Sequence, residues 1–217
     1  MQALESMGKY SVVVIDPPWP TSGYLSGNRS SVGVALAHKS HDYSTMSIPD
    51  IAAMPIENVM CDDSWLFMWT TNGMMPEAYK LLECWGCRYR FTMAWHKGVA
   101  PKPYGLPQYN AEYIIVGSRG NPKFRETTDF FLLNTWAAFR DAQGAHIASA
   151  KPSGFYRLLE RVTEEPRLDI FGRRHIEGFD GWGNEYPDGT SKEILTGKQI
   201  PLLYDAPILN LTSAKGH

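Results

Sequence analysis

A chain of 217 residues, 43% hydrophobic and 12% aromatic, is long enough to bury a substantial core within one ordinary domain. Its formal net charge of −2, from 21 Lys+Arg against 23 Asp+Glu, excludes binding of nucleic acid by bulk positive charge; such contact needs a local patch. No apolar run approaches the roughly 18 residues of a membrane span, and residues 1–8 lack the apolar stretch of a signal peptide, so the expectation is a cytoplasmic protein with no membrane contact.

Tyr10 to Ile15 (YSVVVI) predicts a strand apolar on both faces, the pattern of a central parallel strand covered by helices on each side. Asp16 ends it. Pro17 and Pro18 cannot extend a ladder because they lack an N–H, and Trp19 adds a large ring to the turn. Residues 20–45 are polar and rich in Gly and Ser, a loop of a length that in compact domains is more often functional than idle. Ser47 to Ile51 reads as a helix start, with Ser47 as cap and Pro49 in the first turn. Ser64 to Thr70 (SWLFMWT) predicts a second strand. Met75 to Trp85 predicts a helix, with Leu81, Leu82 and Trp85 at helical spacing and Gly86 as its stop. Strands follow at Tyr89–Trp95, Ala111–Ser118 and Arg167–Phe171, with a helix at Phe155–Val162. Residues 186–217 show no periodicity and read as a peripheral tail.

Strands alternating with helices argue for an α/β fold with a mainly parallel sheet flanked by helices. Ligands of such sheets bind outside the carboxyl ends of the strands. Asp16–Trp19 and Gly172–His175 both follow such ends. The three cysteines are Cys61, Cys84 and Cys87. A C-x-x-C spacing can mean redox chemistry or half of a zinc site. With no second pair and a helix stop between them, Cys84 and Cys87 read as packing residues, and no metal is expected.

Six stretches in order carry a resemblance: GKYSVVVIDPPW at 8–19, YSTMS at 43–47, WLFMWTTN at 65–72, NAEYIIVGSRG at 110–120, SAKP at 149–152 and RLDIFGRRHIEGFDGWGNE at 167–185. Together they resemble the S-adenosylmethionine-dependent adenine-N6 methyltransferases that carry a D-P-P-W motif. Bacterial and phage members of that family modify DNA, and a eukaryotic branch modifies messenger RNA. The resemblance implies a Rossmann-like methyltransferase fold with circularly permuted motif order, as a single domain over 1–217 with its core at about 8–185. It implies S-adenosylmethionine as donor, S-adenosylhomocysteine as product, and nucleic acid as partner, DNA in preference to RNA; a homodimer is compatible with it. A non-catalytic nucleic-acid-binding subunit is the rival reading, against which the intact D-P-P-W stands.

The chemistry explains the residue types. An adenine amino nitrogen is a poor nucleophile because its lone pair is delocalised into the ring. Two acceptors, one for each N–H, pull it toward a pyramidal geometry. Asp16 supplies one and a turn carbonyl, that of Pro17, the other; Pro17 and Pro18 aim both before the substrate arrives. Trp19, or Tyr43 from the next loop, stacks on the extruded base. The resemblance further implies that Lys151 meets the cofactor's carboxylate, that Arg173 and His175 lie near its ribose, and that Asn184 lies near its ribose or adenine. Phe171 and Glu185 flank the same cofactor, and Asp169 orients Arg173. Each has a plainer alternative: Lys151 as a solvated loop lysine, Arg173 and Arg174 as a surface pair. Glu112 either caps a neighbouring loop or contacts substrate. Lys39, with His38 and His41, touches phosphate or is solvated. Two departures stand out: Ser153-Gly154 where relatives carry an acidic pair, and Glu185 where some carry glutamine. A basic patch of Arg29, Lys39, Lys97, Lys102 and Arg125 is expected around the D-P-P-W mouth.

Overall fold

The computed structural model describes residues 4–20, 45–98, 110–140, 150–184 and 186. The run predicted to be apolar on both faces is just that: in β1 (Tyr10–Ile15) Val12, Val13, Val14 and Ile15 are all fully buried. Ser47 caps α1 (Ile48–Ala52), its hydroxyl accepting the Asp50 N–H at 3.2 Å. A short α2 (Ile56–Val59) leads into β2 (Met60–Thr70), which starts four residues before the predicted Ser64.

Next come α3 (Met75–Cys84), β3 (Arg88–His96) and β4 (Ala111–Arg119). Gly86, at φ +65°, closes α3: the Cys87 N–H reaches the Leu82 carbonyl at 2.8 Å and the Gly86 N–H that of Glu83 at 3.0 Å. This cap sets the two cysteines of the C-x-x-C apart. Cys87 is the buried residue that packs behind the cap; Cys84, expected to pack as well, is exposed at the end of the helix. The chain continues through β5 (Leu133–Asn134), α4 (Ser153–Val162), β6 (Arg167–Ile170) and β7 (Asp180–Trp182).

The strands form one seven-stranded sheet in the order β5-β3-β4-β2-β1-β6-β7. Four pairings are parallel and two, both made by β4, are antiparallel. Alternate residues of each central strand feed two cores. One holds Val13, Ile15, Leu66, Met68, Leu168 and Ile170 against α1, α2 and α3. The other holds Val12, Val14, Phe67 and Trp69 against α4, whose Phe155, Leu158, Leu159 and Val162 supply the predicted helical stripe. The strand order reverses at β1, which pairs with β2 on one side and with the late strand β6 on the other. That is the switch point where doubly wound sheets open a crevice at the carboxyl ends.

The direction of β4 corrects one expectation. Because β4 runs antiparallel to β2, its carboxyl end at Arg119 pairs with Ser64, at the opposite end of the strands from Asp16. Arg125 follows that end. Its guanidinium bonds the Glu160 carbonyl and pairs with Glu164 at 3.8 Å, by the last turn of α4. It does not belong to a patch around Asp16. Among the described residues no helix is long and apolar enough to cross a membrane.

Candidate active site

The turn after β1 is held by backbone as well as by proline. The Asp16 N–H donates to the Ile170 carbonyl at 3.2 Å, joining the ends of β1 and β6. The Pro17 carbonyl accepts the Trp19 N–H at 2.8 Å, and the Pro18 carbonyl accepts the Met46 N–H at 2.9 Å. Trp19 is not a loose ring. Its indole N–H donates to the Trp69 carbonyl at 3.1 Å and its ring packs on the core beside α1–α3.

Four charges from four elements meet beside this turn. Lys151 Nζ lies 3.1 Å from Asp16 Oδ2 and 2.9 Å from Glu112 Oε2, and sits 4.8 Å above the ring of buried Trp69. The other Glu112 oxygen takes Lys97 Nζ at 2.6 Å. Antiparallel β4 brings Glu112 here, because its start is level with the end of β3, Glu112 pairing with Trp95. Burial raises the proton affinity of Asp16, as does the charge of Glu112, while Lys151 and Arg173 oppose that rise. Burial also works against Glu112's charge, yet Lys151 and Lys97 outweigh it and hold the carboxyl down at about 2. For Lys151 itself, burial would release the proton; Asp16 and Glu112 more than compensate and hold it well above the ordinary lysine range. At 10% side-chain exposure, Lys151 is not a solvated loop lysine.

The loop after β6 forms the adjoining wall. Phe171 has φ +64°, a left-handed conformation that a non-glycine residue adopts at a cost of about 1–3 kcal/mol and that clusters at ligand clamps. Its N–H donates to the Trp182 carbonyl at 2.6 Å. A Cβ on Gly172 would lie 2.7 Å from Asp169 Oδ2, and one on Gly183 would lie 3.0 Å from the Phe171 Cα. Asp169 accepts the Tyr156 hydroxyl at 3.0 Å; burial pushes its carboxyl up to about 7, with the charge of Asp16 adding to the rise. His175 Nδ1 shares a hydrogen bond with the Tyr186 hydroxyl at 2.8 Å, whereas its buried Nε2 has no partner among the described residues. Asn184 is exposed just beyond β7.

Of the residues singled out in sequence, Asp16, Pro17, Pro18, Trp19, Glu112 and Lys151 converge at one end of the sheet, with Asp169, Phe171 and Arg173 on the adjacent strand end. Tyr43, Lys39 and Glu185, with His38, His41, Arg29 and Lys102, lie outside the described residues. Three contributors were not legible as such. Trp69 supports both Lys151 and Trp19, Lys97 backs Glu112 instead of standing free, and Arg174 donates to the Lys151 carbonyl at 2.9 Å. Trp69 and Arg174 lie inside quoted motifs and Lys97 was named for another role; what no motif showed was their partners. Among the described residues no group of three or more His, Cys, Asp or Glu is placed to hold a metal ion.

The sequence model of the MT-A70 family matches residues 10–185. The type II methyltransferase M.MunI of Mycoplasma sp is 29% identical over 195 residues, which cover 83% of this chain and 79% of the relative. The N(6)-adenosine-methyltransferase catalytic subunit METTL3 of Homo sapiens is 25% identical over 179 residues, 78% of this chain but 26% of its own length. The N(6)-adenine-specific methyltransferase METTL4 of Mus musculus is 24% identical over 203 residues, 85% of this chain and 39% of its own. The family match spans both the Asp16 turn and the loop after β6; the chain is a methyltransferase of the MT-A70 family.

Proposed function

We propose that the protein moves a methyl group from S-adenosylmethionine to the exocyclic N6 amino group of adenine in DNA, acting on a base swung out of its stack onto the Asp16–Trp19 turn. The observation that carries this reading is a carboxylate at the switch point of the sheet, fixed on a double-proline turn and balanced by Lys151 at 3.1 Å.

The residues present fit the donor. Gly172 and Gly183 pack against Asp169 and the Phe171 backbone too closely for a Cβ, which holds the loop tight on the end of β6. His175 Nε2, which has no partner among the described residues, suits a hydroxyl. Lys151 would meet the amino-acid carboxylate, Arg173 and His175 the ribose, Asn184 and Glu185 the ribose or adenine. When bound, S-adenosylmethionine supplies a methyl carbon made electrophilic by its sulfonium. On the protein side, Asp16 accepts one N6 proton in a hydrogen bond. The Pro17 carbonyl already takes the Trp19 N–H, and its second lone pair accepts the other. Burial raises Asp16's proton affinity, which suits it to hold the proton that N6 gives up, while Lys151 opposes that rise. Trp19, braced by Trp69, offers a fixed wall for the base; such stacking is worth about 1–3 kcal/mol.

DNA is favoured because the relative covered over 79% of its length is a type II methyltransferase, whereas METTL3, named for adenosine, is covered over 26%. The test is incubation with labelled S-adenosylmethionine and separate DNA and RNA pools, then nucleoside mass spectrometry. Label in N6-methyladenosine from RNA alone overturns the substrate, and no N6-methylated adenine in either pool overturns the reading.

A further inference from the structure

Lys151 is held from two sides. Its ammonium lies between Asp16 and Glu112. Its backbone carbonyl accepts Arg174 Nη2 at 2.9 Å, while Nη1 of the same guanidinium reaches Ser153 Oγ at 3.2 Å. The guanidinium carbon lies 3.9 Å from the centroid of the Phe139 ring and 5.5 Å from that of Tyr156. Arg174 belongs to the loop after β6, and Lys151 and Ser153 to the turn that opens α4. One planar fork thus ties the cofactor-facing loop to the turn that carries the lysine. A lysine in its place would keep the charge but neither the fork nor the face-on stacking. The charges that act most strongly on Asp16 are those of Lys151, Glu112 and Arg173, with Asp169 and Tyr156 also facing it. A change at Arg174 therefore reaches Asp16 chiefly through Lys151.

We propose that Arg174 is a positioning residue for Lys151, fixing the turn of residues 150–153 so that the ammonium stands between Asp16 and Glu112 and faces the donor's carboxylate. The cofactor half of this inference rests on the proposed function, so the test reads two quantities. One is S-adenosylhomocysteine affinity by calorimetry. The other is the titration of the Asp16 carboxyl by carbon NMR with no cofactor present. Arg174→Met should weaken binding about tenfold, as expected for losing charged hydrogen bonds, and should move the Asp16 titration upward. Arg174→Lys should recover only part of each. The double variant Arg174→Met/Lys151→Ala should bind no more weakly than Lys151→Ala alone, an outcome that a merely structural role for Arg174 does not produce. Losses that multiply in the double variant, or Arg174→Met within twofold of wild type with Asp16 unmoved, overturn the proposal. If Lys151→Ala leaves affinity unchanged, the donor role of Lys151 falls, and the Asp16 titration alone decides the positioning role. Should Arg174→Met fail to fold, Arg174→Lys carries the same two readouts: binding and titration equal to wild type overturn the proposal.

Discussion

Replacing Lys151 by methionine keeps most of the side chain's volume and removes the ammonium between Asp16 and Glu112. Glu112 is held from its ordinary 4.5 down to about 2, a displacement worth roughly 3 kcal/mol shared between Lys151 and Lys97. Removing one partner from a buried ion pair costs about 3–5 kcal/mol. Here the Asp16 and Glu112 side chains keep 23% and 16% exposure. Solvent screening lowers the expectation to about 2–3 kcal/mol at pH 8. The pH dependence has a definite sign. In the wild type Glu112's depressed folded pKa contributes stability that is present above its ordinary 4.5 and lost as pH falls toward 2. In the variant, two carboxylates face one another with that cation gone, and Asp16 is already raised by burial. A raised folded pKa penalises the folded state fully at high pH and relaxes as pH falls through it. The gap between wild type and variant should therefore narrow from pH 8 to pH 5. Urea denaturation followed by tryptophan fluorescence measures it. Equal midpoints at pH 8, or a gap that widens on acidification, refute the argument; a solvated loop lysine would give the first result.

Asp16→Asn keeps shape and loses charge; methyl transfer to adenine should fall at least about a hundredfold, roughly 3 kcal/mol, with S-adenosylhomocysteine affinity within a few fold, and a variant keeping a third of the rate contradicts the role of Asp16. Phe155 is fully buried, its ring 4.9 Å from that of Trp69, so Phe155→Ala should cost about 3–5 kcal/mol in urea; a loss below about 1 kcal/mol would mean that the α4 core is not packed as described. Tyr156→Phe removes the hydrogen bond that restrains the proton affinity of Asp169, so its carboxyl, pushed up to about 7 chiefly by burial, should titrate higher still; an unmoved midpoint in carbon NMR counts against that contact. Burial pushes the Cys87 thiol up to about 11, so a thiol reagent at pH 8 should modify exposed Cys84 and spare Cys87 until the protein unfolds, and rapid labelling of Cys87 contradicts the packing behind Gly86.

Much of this molecule was legible along the chain, because the signals are local. A four-residue apolar run with no polar alternation must be covered on both faces, and β1 is. Gly86 ends α3 because a left-handed residue is needed there, and the spacing of Phe155, Leu158, Leu159 and Val162 defines the buried face of α4. The D-P-P-W turn lies at a strand end because proline cannot donate to a ladder. Elements too short to show a period, α2, β5 and β7, left no such signal. Strand order and direction, which no local pattern encodes, came only from the tertiary structure. The reversal of β4 carried Arg125 to the far end of the sheet and set Glu112 beside Lys151, 39 positions away in the chain. Lys97 came to back Glu112, and Arg174 to hold the Lys151 carbonyl, only through tertiary packing. A charged side chain's role depends on which desolvated groups the packed elements place within about 3 Å of it, and the chain determines those partners only once it has folded.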